Sequence, residues 1–438
     1  MPAHPADSAL YRGLFGDDET ARLLSDSAEI RAMLLVEGAL ARVQGQLGVI
    51  PADAGTFIDR ASREVQIDPA GLSAATATNG VPVPALVAAF RKAMEAPDHA
   101  QYLHWGATSQ DIMDTALALR LRRMMDLWAG RLDALIGSLG VLADRHADLP
   151  MAARTYGQAA TPTSFGAVVA QWGRPLQRHR ERLAALRADL AVSLSGAAGT
   201  LSAMEGRGPE VRAALAQALD LRDPGHSWHT DRSVMADLAG WMAAVTGTLG
   251  KMGQDLILSA QTGIAEVLVD GAGGSSTMPQ KQNPVAPSVL VALARQVAAL
   301  AGVMDGAMIH AQQRDGAAWF TEWLTLPALC SATGRALALA VDVAQRLRPD
   351  PAAMQQGLKA GCGTIFAEAI SFALAETMDR AEAQAKVKAL SQEAIRDGVD
   401  LVDLVRREVP DRDWDAILAG DRLLGAAPQE ARAFAASC

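Results

Sequence analysis

Three stretches of this chain repeat apolar side chains every three or four residues, within segments too long for one compact domain. Leu132, Leu135, Ile136, Leu139 and Leu142 form the first stripe; Leu238, Trp241, Val245, Leu249, Met252 and Leu256 the second; Leu290, Leu293, Val297, Leu300 and Met304 the third. That spacing gathers each set on one helical face. The second stripe lies in a segment of about 40 residues, which at 1.5 Å per residue predicts a helix of roughly 60 Å. Helices of that length, rich in Ala and Gly, predict an all-α bundle continued across subunits. The expected organisation is three-domain: residues 1–110 an N-terminal helical domain, 111–348 a central long-helix bundle, and 349–438 a small C-terminal helical domain. In the last, Gly357, Gly361, Gly363 and Gly398 punctuate shorter helices.

Composition agrees. Half of the residues are apolar but only 4% are aromatic, so the core has to be built from Ala, Leu, Val and Met. A formal charge of −9, from 40 basic and 49 acidic side chains, argues against nucleic acid or an anionic membrane as partner. No apolar run approaches ~20 residues without a charge, so no membrane span is expected. Cys330, Cys362 and Cys438 are odd in number and widely spaced, which gives neither a metal motif nor a disulfide framework. Together with an N-terminus lacking the basic and apolar regions of a signal peptide, this fits a cytoplasmic protein.

Between the second and third stripes lies Gly271-Ala-Gly-Gly-Ser-Ser-Thr-Met-Pro-Gln-Lys-Gln-Asn-Pro284. Unstructured loops of this length are usually functional or disordered. This one holds paired serines, a lysine and an asparagine where a linker would be plain Gly/Ser or charged. Its three glycines permit unusual backbone conformations and leave amides accessible to an anion. It is not a P-loop, since no Gly-Lys-Ser/Thr follows at the required spacing. Asn283-Pro284 also reads as a helix start, with Asn at the N-cap and Pro at the first helical position.

Two further polar segments interrupt the helical pattern. His104-Trp-Gly-Ala-Thr-Ser-Gln-Asp-Ile-Met-Asp-Thr115 precedes the first long helix. Thr108 or Ser109 serves as its cap, which leaves His104, the second hydroxyl and Gln110 without a structural task. The other segment is Arg154-Thr-Tyr-Gly-Gln-Ala-Ala-Thr-Pro-Thr163.

These three segments resemble the signature blocks of the fumarase/aspartase superfamily, the glycine-rich loop matching its GSSxMPxKxNP pattern. The resemblance covers nearly the whole chain. It implies a homotetramer with each active site shared between subunits, a small di- or tricarboxylate substrate, and neither cofactor nor metal. It implies Ser275, Ser276 and Lys281 as catalytic residues. Asn283, His104, Thr108, Ser109, Gln110, Arg154, Thr155, Tyr156, Gln158, Arg314 and Trp323 would bind substrate. His104 is equally well a structural histidine.

Two departures narrow the chemistry. Superfamily lyases usually carry, at the position of Tyr156, a histidine that protonates the leaving group, oriented by a glutamate where this chain has Ser288. Expelling an amine or hydroxide needs a general acid, whereas a carboxylate, a weak base, leaves unaided. Lactone chemistry is therefore compatible with this site, which is poorly suited to releasing an amine. Tyr156 is either a packing residue or a substrate hydrogen-bonder. In adenylosuccinate lyases an arginine for the nucleotide phosphate stands where this chain has Trp323, so a nucleotide substrate is not expected. Trp319 and Trp323 share a helical face, as core residues do. Their Trp-x-x-Glu-Trp pattern, with Gly225-His-Ser-Trp-His-Thr-Asp-Arg232, resembles the branch that lactonises carboxymuconates, placing Trp228, His229 and Thr230 near the pocket. Gln280 and Gln282 replace that branch's usual His and Arg.

The implied reaction is cycloisomerisation of 3-carboxy-cis,cis-muconate to a carboxymuconolactone. Ser275, its pKa lowered by Lys281 and loop amides, exchanges the proton on carbon. Lys281 and Asn283 steady the enediolate, and Arg314 takes a third carboxylate. The alternatives are a fumarate-releasing lyase with a weakly basic leaving group, nitrosuccinate- or adenylosuccinate-lyase-like, and a non-enzymatic scaffold like the lens crystallins of this superfamily.

Overall fold

The computed structural model describes residues 4–269, 273–274, 278 and 281–438. Ser275 and Ser276 lie outside them. The fold is all-α, with three two-stranded antiparallel ribbons among the described residues. The chain forms two compact units. One comprises Met1–Gly130, His179–Gly247 and Leu293–Ala338; the other comprises Arg131–Arg178, Thr248–Ala292 and Leu339–Cys438. Five long helices contribute residues to both: Ser109–Arg145, Phe165–Ala188, Ser233–Ser259, Val285–Gly306 and Gly316–Arg346.

The first unit begins with helices Asp18–Leu24 and Asp26–Gln46. Ser25 separates them, in extended conformation with its side chain accepting from the Ala28 amide. Asp26–Gln46 then packs tightly on Ala52–Glu64 through small residues. A Cβ on Gly55 would lie 2.5 Å from the Ala41 carbonyl oxygen, and one on Gly38 2.1 Å from Ser62 Oγ. The core of this unit gathers Met33, Leu40, Ile58, Leu86, Phe90, Leu103 and Trp319, each worth about 2 kcal/mol when removed from water. Trp128 stacks on Trp241 with centroids 5.7 Å apart, and Trp241 Nε1 donates to the His179 carbonyl.

In the second unit Pro150–Thr155 and Gln158–Ser164 make a hairpin, Thr155 opposite Gln158. Tyr156 and Gly157 form its two-residue tip at φ 52° and 75°, the left-handed pair a tight hairpin turn requires. Gly273–Gly274 pairs with Gln282–Asn283, and Val267–Val269 with Leu347–Pro349. A separate apolar cluster joins the helices Ala367–Ala375, Arg380–Asp397 and Leu401–Glu408 through Ile370, Leu374, Val387, Leu404 and Trp414. Gly398, at φ 67°, ends the middle helix.

Several expectations change. The second long helix runs for 27 residues, Ser233–Ser259, roughly 40 Å rather than 60 Å; a turn containing Gly263 at φ 89° follows it. The helix after the signature loop starts at Val285, so Asn283 is a strand residue and not a cap. Nor do Gly273 and Gly274 adopt positive φ. Gly273 is required sterically instead, since a Cβ there would meet Val285 Cγ2 at 2.9 Å. Mean hydropathy reads two helices differently from a count of uninterrupted apolar runs. By length and composition Val285–Gly306 and Gly316–Arg346 are apolar enough to cross a bilayer, because a few isolated charges barely lower their mean hydropathy. Of their apolar windows, 39% and 61% are buried within the protein.

Candidate active site

The turn before the first long helix sets His104 at φ 64°, an uncommon conformation for a side chain with a Cβ. Its Nδ1 lies 2.7 Å from Glu37 Oε1, and Glu37 is buried in the Asp26–Gln46 helix. Burial lowers the His104 pKa, but the Glu37 hydrogen bond and charge outweigh it, so the net shift is upward.

Thr108 is the residue before the helix, with its carbonyl accepting from the Asp111 amide and its own amide donating to Asp111 Oδ2 at 3.0 Å. Ser109 is the first helical residue. Asp111 carries more of this corner than sequence reading assigned it. Its buried carboxylate also accepts from the Ser195 amide at 2.8 Å, the Gly196 amide at 2.9 Å and Ser193 Oγ at 3.3 Å. Burial raises its pKa to about 6, the four hydrogen bonds only partly opposing that rise.

Gln110 is buried and fully bonded. Its Oε1 accepts from Arg314 Nε at 2.8 Å, and its Nε2 donates to the His229 carbonyl at 2.9 Å and Asp114 Oδ2 at 3.2 Å. Asp114 in turn holds Arg232, whose guanidinium bridges it to Glu322. These three charged side chains are each no more than 2% exposed. Burial depresses the Arg232 pKa, and the charges of Asp114 and Glu322 more than reverse it. The guanidinium also lies over the Trp228 ring at 5.2 Å. Arg314 is thus oriented by a buried chain of polar contacts, and a second bond runs from its Nη1 to the Ala197 carbonyl at 3.3 Å. His104, Gln110, Arg314 and Trp323 all belong to the first unit. Trp323 meets Trp319 edge-on at 4.7 Å, and both line a cavity of about 570 Å³ together with Met33, Met113 and Arg120.

The other assigned residues belong to the second unit. Arg154 is occupied by Glu266, bidentate at 2.7 and 2.9 Å. Thr155 and Gln158 are exposed on the hairpin, and Tyr156 is fully exposed at its tip. Lys281 is exposed, its amide donating to the Met278 carbonyl, and Asn283 pairs with Gly273. Three features escaped the sequence reading: Asp111, the loop 195–199, and the Asp114–Arg232–Glu322 triad. Only Asp111, an acidic residue three positions after Thr108, carries the local signal of a capping box.

In the first unit Arg314, held by Gln110 and the buried Asp114–Arg232–Glu322 chain, presents a cationic donor on a rigid support, suited to a carboxylated ligand. The lyase family profile matches residues 7–299. The chain is 39% identical to the 3-carboxy-cis,cis-muconate cycloisomerase of Pseudomonas aeruginosa, over 92% of this chain and 88% of that one. It is 34% identical to the nitrosuccinate lyase of Streptomyces davaonensis, over 96% and 93%. The crystal structure of the 3-carboxy-cis,cis-muconate lactonizing enzyme from Pseudomonas putida superimposes with a TM-score of 0.90 at 33% identity, covering 98% of both chains. With a family match over two thirds of its length and a fold shared end to end, this chain belongs to the lyase family of the fumarase/aspartase superfamily.

Proposed function

We propose that this protein catalyses the cofactor-free cycloisomerisation of 3-carboxy-cis,cis-muconate to carboxymuconolactone in the breakdown of aromatic (protocatechuate-type) acids. The observation that carries the reading is Tyr156, at the hairpin tip where superfamily lyases hold their acid histidine, in a chain whose relatives include cycloisomerases. One substrate carboxylate oxygen adds to a conjugated carbon; the C–O bond forms as the π electrons move into the neighbouring carboxylate. The resulting enediolate is steadied by Lys281, Asn283 and loop amides. Ser275, assisted by Ser276, delivers the proton to carbon, and Lys281 lowers the serine pKa for this role. The carboxylate nucleophile needs no acid or base partner, so the histidine is dispensable. His104, Thr108, Ser109, Arg154, Thr155, Tyr156, Gln158 and Trp323 complete the substrate surface, with Gln110 and Arg314.

The assembly we propose is a cytoplasmic homotetramer of three-domain subunits, each active site drawing on several copies. The exposed Ala298, Ala299 and Val303 on the Val285–Gly306 helix supply a small-residue face for such packing.

The test follows 3-carboxymuconate by its diene absorbance while measuring fumarate. Loss of the diene without fumarate, abolished by Ser275→Ala in a protein that still assembles, supports the reading. Fumarate released from nitrosuccinate, with 3-carboxymuconate untouched, would establish the second reading. Inactivity on every dicarboxylate would point to a scaffold.

A further inference from the structure

We propose that the cavity framed by the Asp26–Gln46, Ser109–Arg145 and Gly316–Arg346 helices binds an uncharged aromatic molecule with one hydrogen-bond acceptor, to which Arg120 donates. Every residue lining this cavity belongs to the first unit. Trp323, proposed above for the substrate surface, is among them; Arg120, Met33, Met124 and Cys330, which also line it, have no part in that surface.

Size and walls set the class of guest. The cavity measures about 570 Å³, and an apolar cavity of ~150 Å³ already takes up benzene, so a guest of roughly two rings has room. Met33, Leu121, Met124 and Trp319 are each no more than 3% exposed, and Trp319 and Trp323 meet edge-on. Methionine thioethers adapt to irregular shapes and contact ring edges favourably. Apolar and aromatic walls with few polar groups are what a small-molecule pocket requires.

The charges decide against an acid. The carboxylates of Asp26, Glu29, Asp114 and Glu322 line the cavity, and Arg120 is the one cation among the lining residues. Asp114 and Glu322 share the single guanidinium of Arg232. Arg120 lies 3.4 Å from Glu29, and Asp26 is exposed. Burial pushes the Cys330 thiol up to about 12, so it stays neutral at pH 7. An added anion would enter a site already short of positive charge. The guest is therefore of a different class from the tricarboxylate proposed above.

One donor is left unspent. Arg120 is only 9% exposed, and its Nε is buried and meets no protein acceptor, while Nη1 faces Glu29. A guanidinium remains a donor at any working pH, and a buried donor without an acceptor is costly. A carbonyl oxygen on the guest satisfies Nε without bringing in charge.

1-Tetralone, tetralin and 1-naphthoate share a fused two-ring frame and carry, in turn, a carbonyl, no acceptor and a carboxylate. Calorimetric titration of the full-length protein should rank 1-tetralone at least about fivefold tighter than tetralin and at least about tenfold tighter than 1-naphthoate. In methyl NMR spectra, 1-tetralone should shift the Met33, Met113 and Met124 resonances, whose side chains line the cavity. Arg120→Met should bring the tetralone-to-tetralin ratio near one while leaving the tetralin constant within about twofold. Leu117→Trp, which fills the cavity from its wall, should abolish binding of both. Failure of 1-tetralone to bind the wild type, tightest binding by 1-naphthoate, or binding that leaves those three methyls unmoved overturns the proposal, as does a ratio that survives Arg120→Met. The wild-type ranking and methyl shifts decide the matter even where a variant fails to fold. None of these readouts uses turnover, so the result is independent of the cycloisomerase reading.

Discussion

Glu37 places a carboxylate oxygen 2.7 Å from Nδ1 of His104, joining residues 67 positions apart. The pair has a defined pH signature. Its folded pKa lies above the ordinary 6.5, so its stabilising contribution is complete below about 6.5 and is lost as pH rises through the folded value. A histidine NMR titration should give His104 a midpoint above 6.5. In Glu37→Gln the midpoint should drop below it, because burial then outweighs the weaker remaining pull of Asp111. A wild-type midpoint at or below 6.5 contradicts the pairing.

Asp111 has the same sign at lower pH. Its folded pKa of about 6 against 3.8 in the unfolded chain means the folded state holds a proton more readily. The favourable contribution is therefore present below pH 3.8 and is lost by about pH 6, a change of about 3 kcal/mol. Asp111→Asn should flatten this part of the stability profile, measured by urea unfolding between pH 4 and pH 7. An unchanged slope would show that Asp111 does not titrate there.

Removing Arg154 strands a carboxylate, since Glu266 is only 1% exposed. Arg154→Ala should cost about 2 kcal/mol, below the usual figure for a broken buried pair because the arginine itself is partly solvated. Adding Glu266→Gln to it should recover most of the loss. If instead Arg154→Ala leaves the melting curve alone and raises only KM, the arginine serves substrate rather than the fold.

Helix packing in the first unit depends on Gly55 having no side chain. Gly55→Ala forces a methyl to 2.5 Å from the Ala41 carbonyl, and backbone must separate to admit it. We expect a loss of about 1–3 kcal/mol, read by thermal or denaturant unfolding. A neutral result would mean the two helices slide apart freely.

Tyr156 should behave otherwise. Tyr156→Phe and Tyr156→His should leave the melting temperature unchanged, because the ring is fully exposed. Any change should appear in turnover alone; a large fall in melting temperature would mean that the tip is packed.

How much of this could be read from the chain depends on how far apart the interacting groups lie. Helical periodicity is local, and Leu238, Trp241, Val245, Leu249, Met252 and Leu256 are all buried as their spacing predicts. The length of their helix was overestimated because apolar spacing continues past Ser259 into turn and strand residues. The left-handed tip at Tyr156 was hidden because tyrosine is a poor marker of positive φ, and only Gly157 beside it hints at a turn. Asp111 acts on amides 84 and 85 residues away, and Gln110 on Arg314 at a separation of 204. Contacts of that reach leave no periodic trace. The roles of Lys281 and Asn283 came from the motif, not from any pattern in the neighbouring helices.

The hairpin tip has an evolutionary consequence. A residue that touches nothing else in its own fold can be exchanged without disturbing the scaffold that carries it. At position 156 a lineage is free to trade imidazole for phenol while the helices beneath keep the same packing.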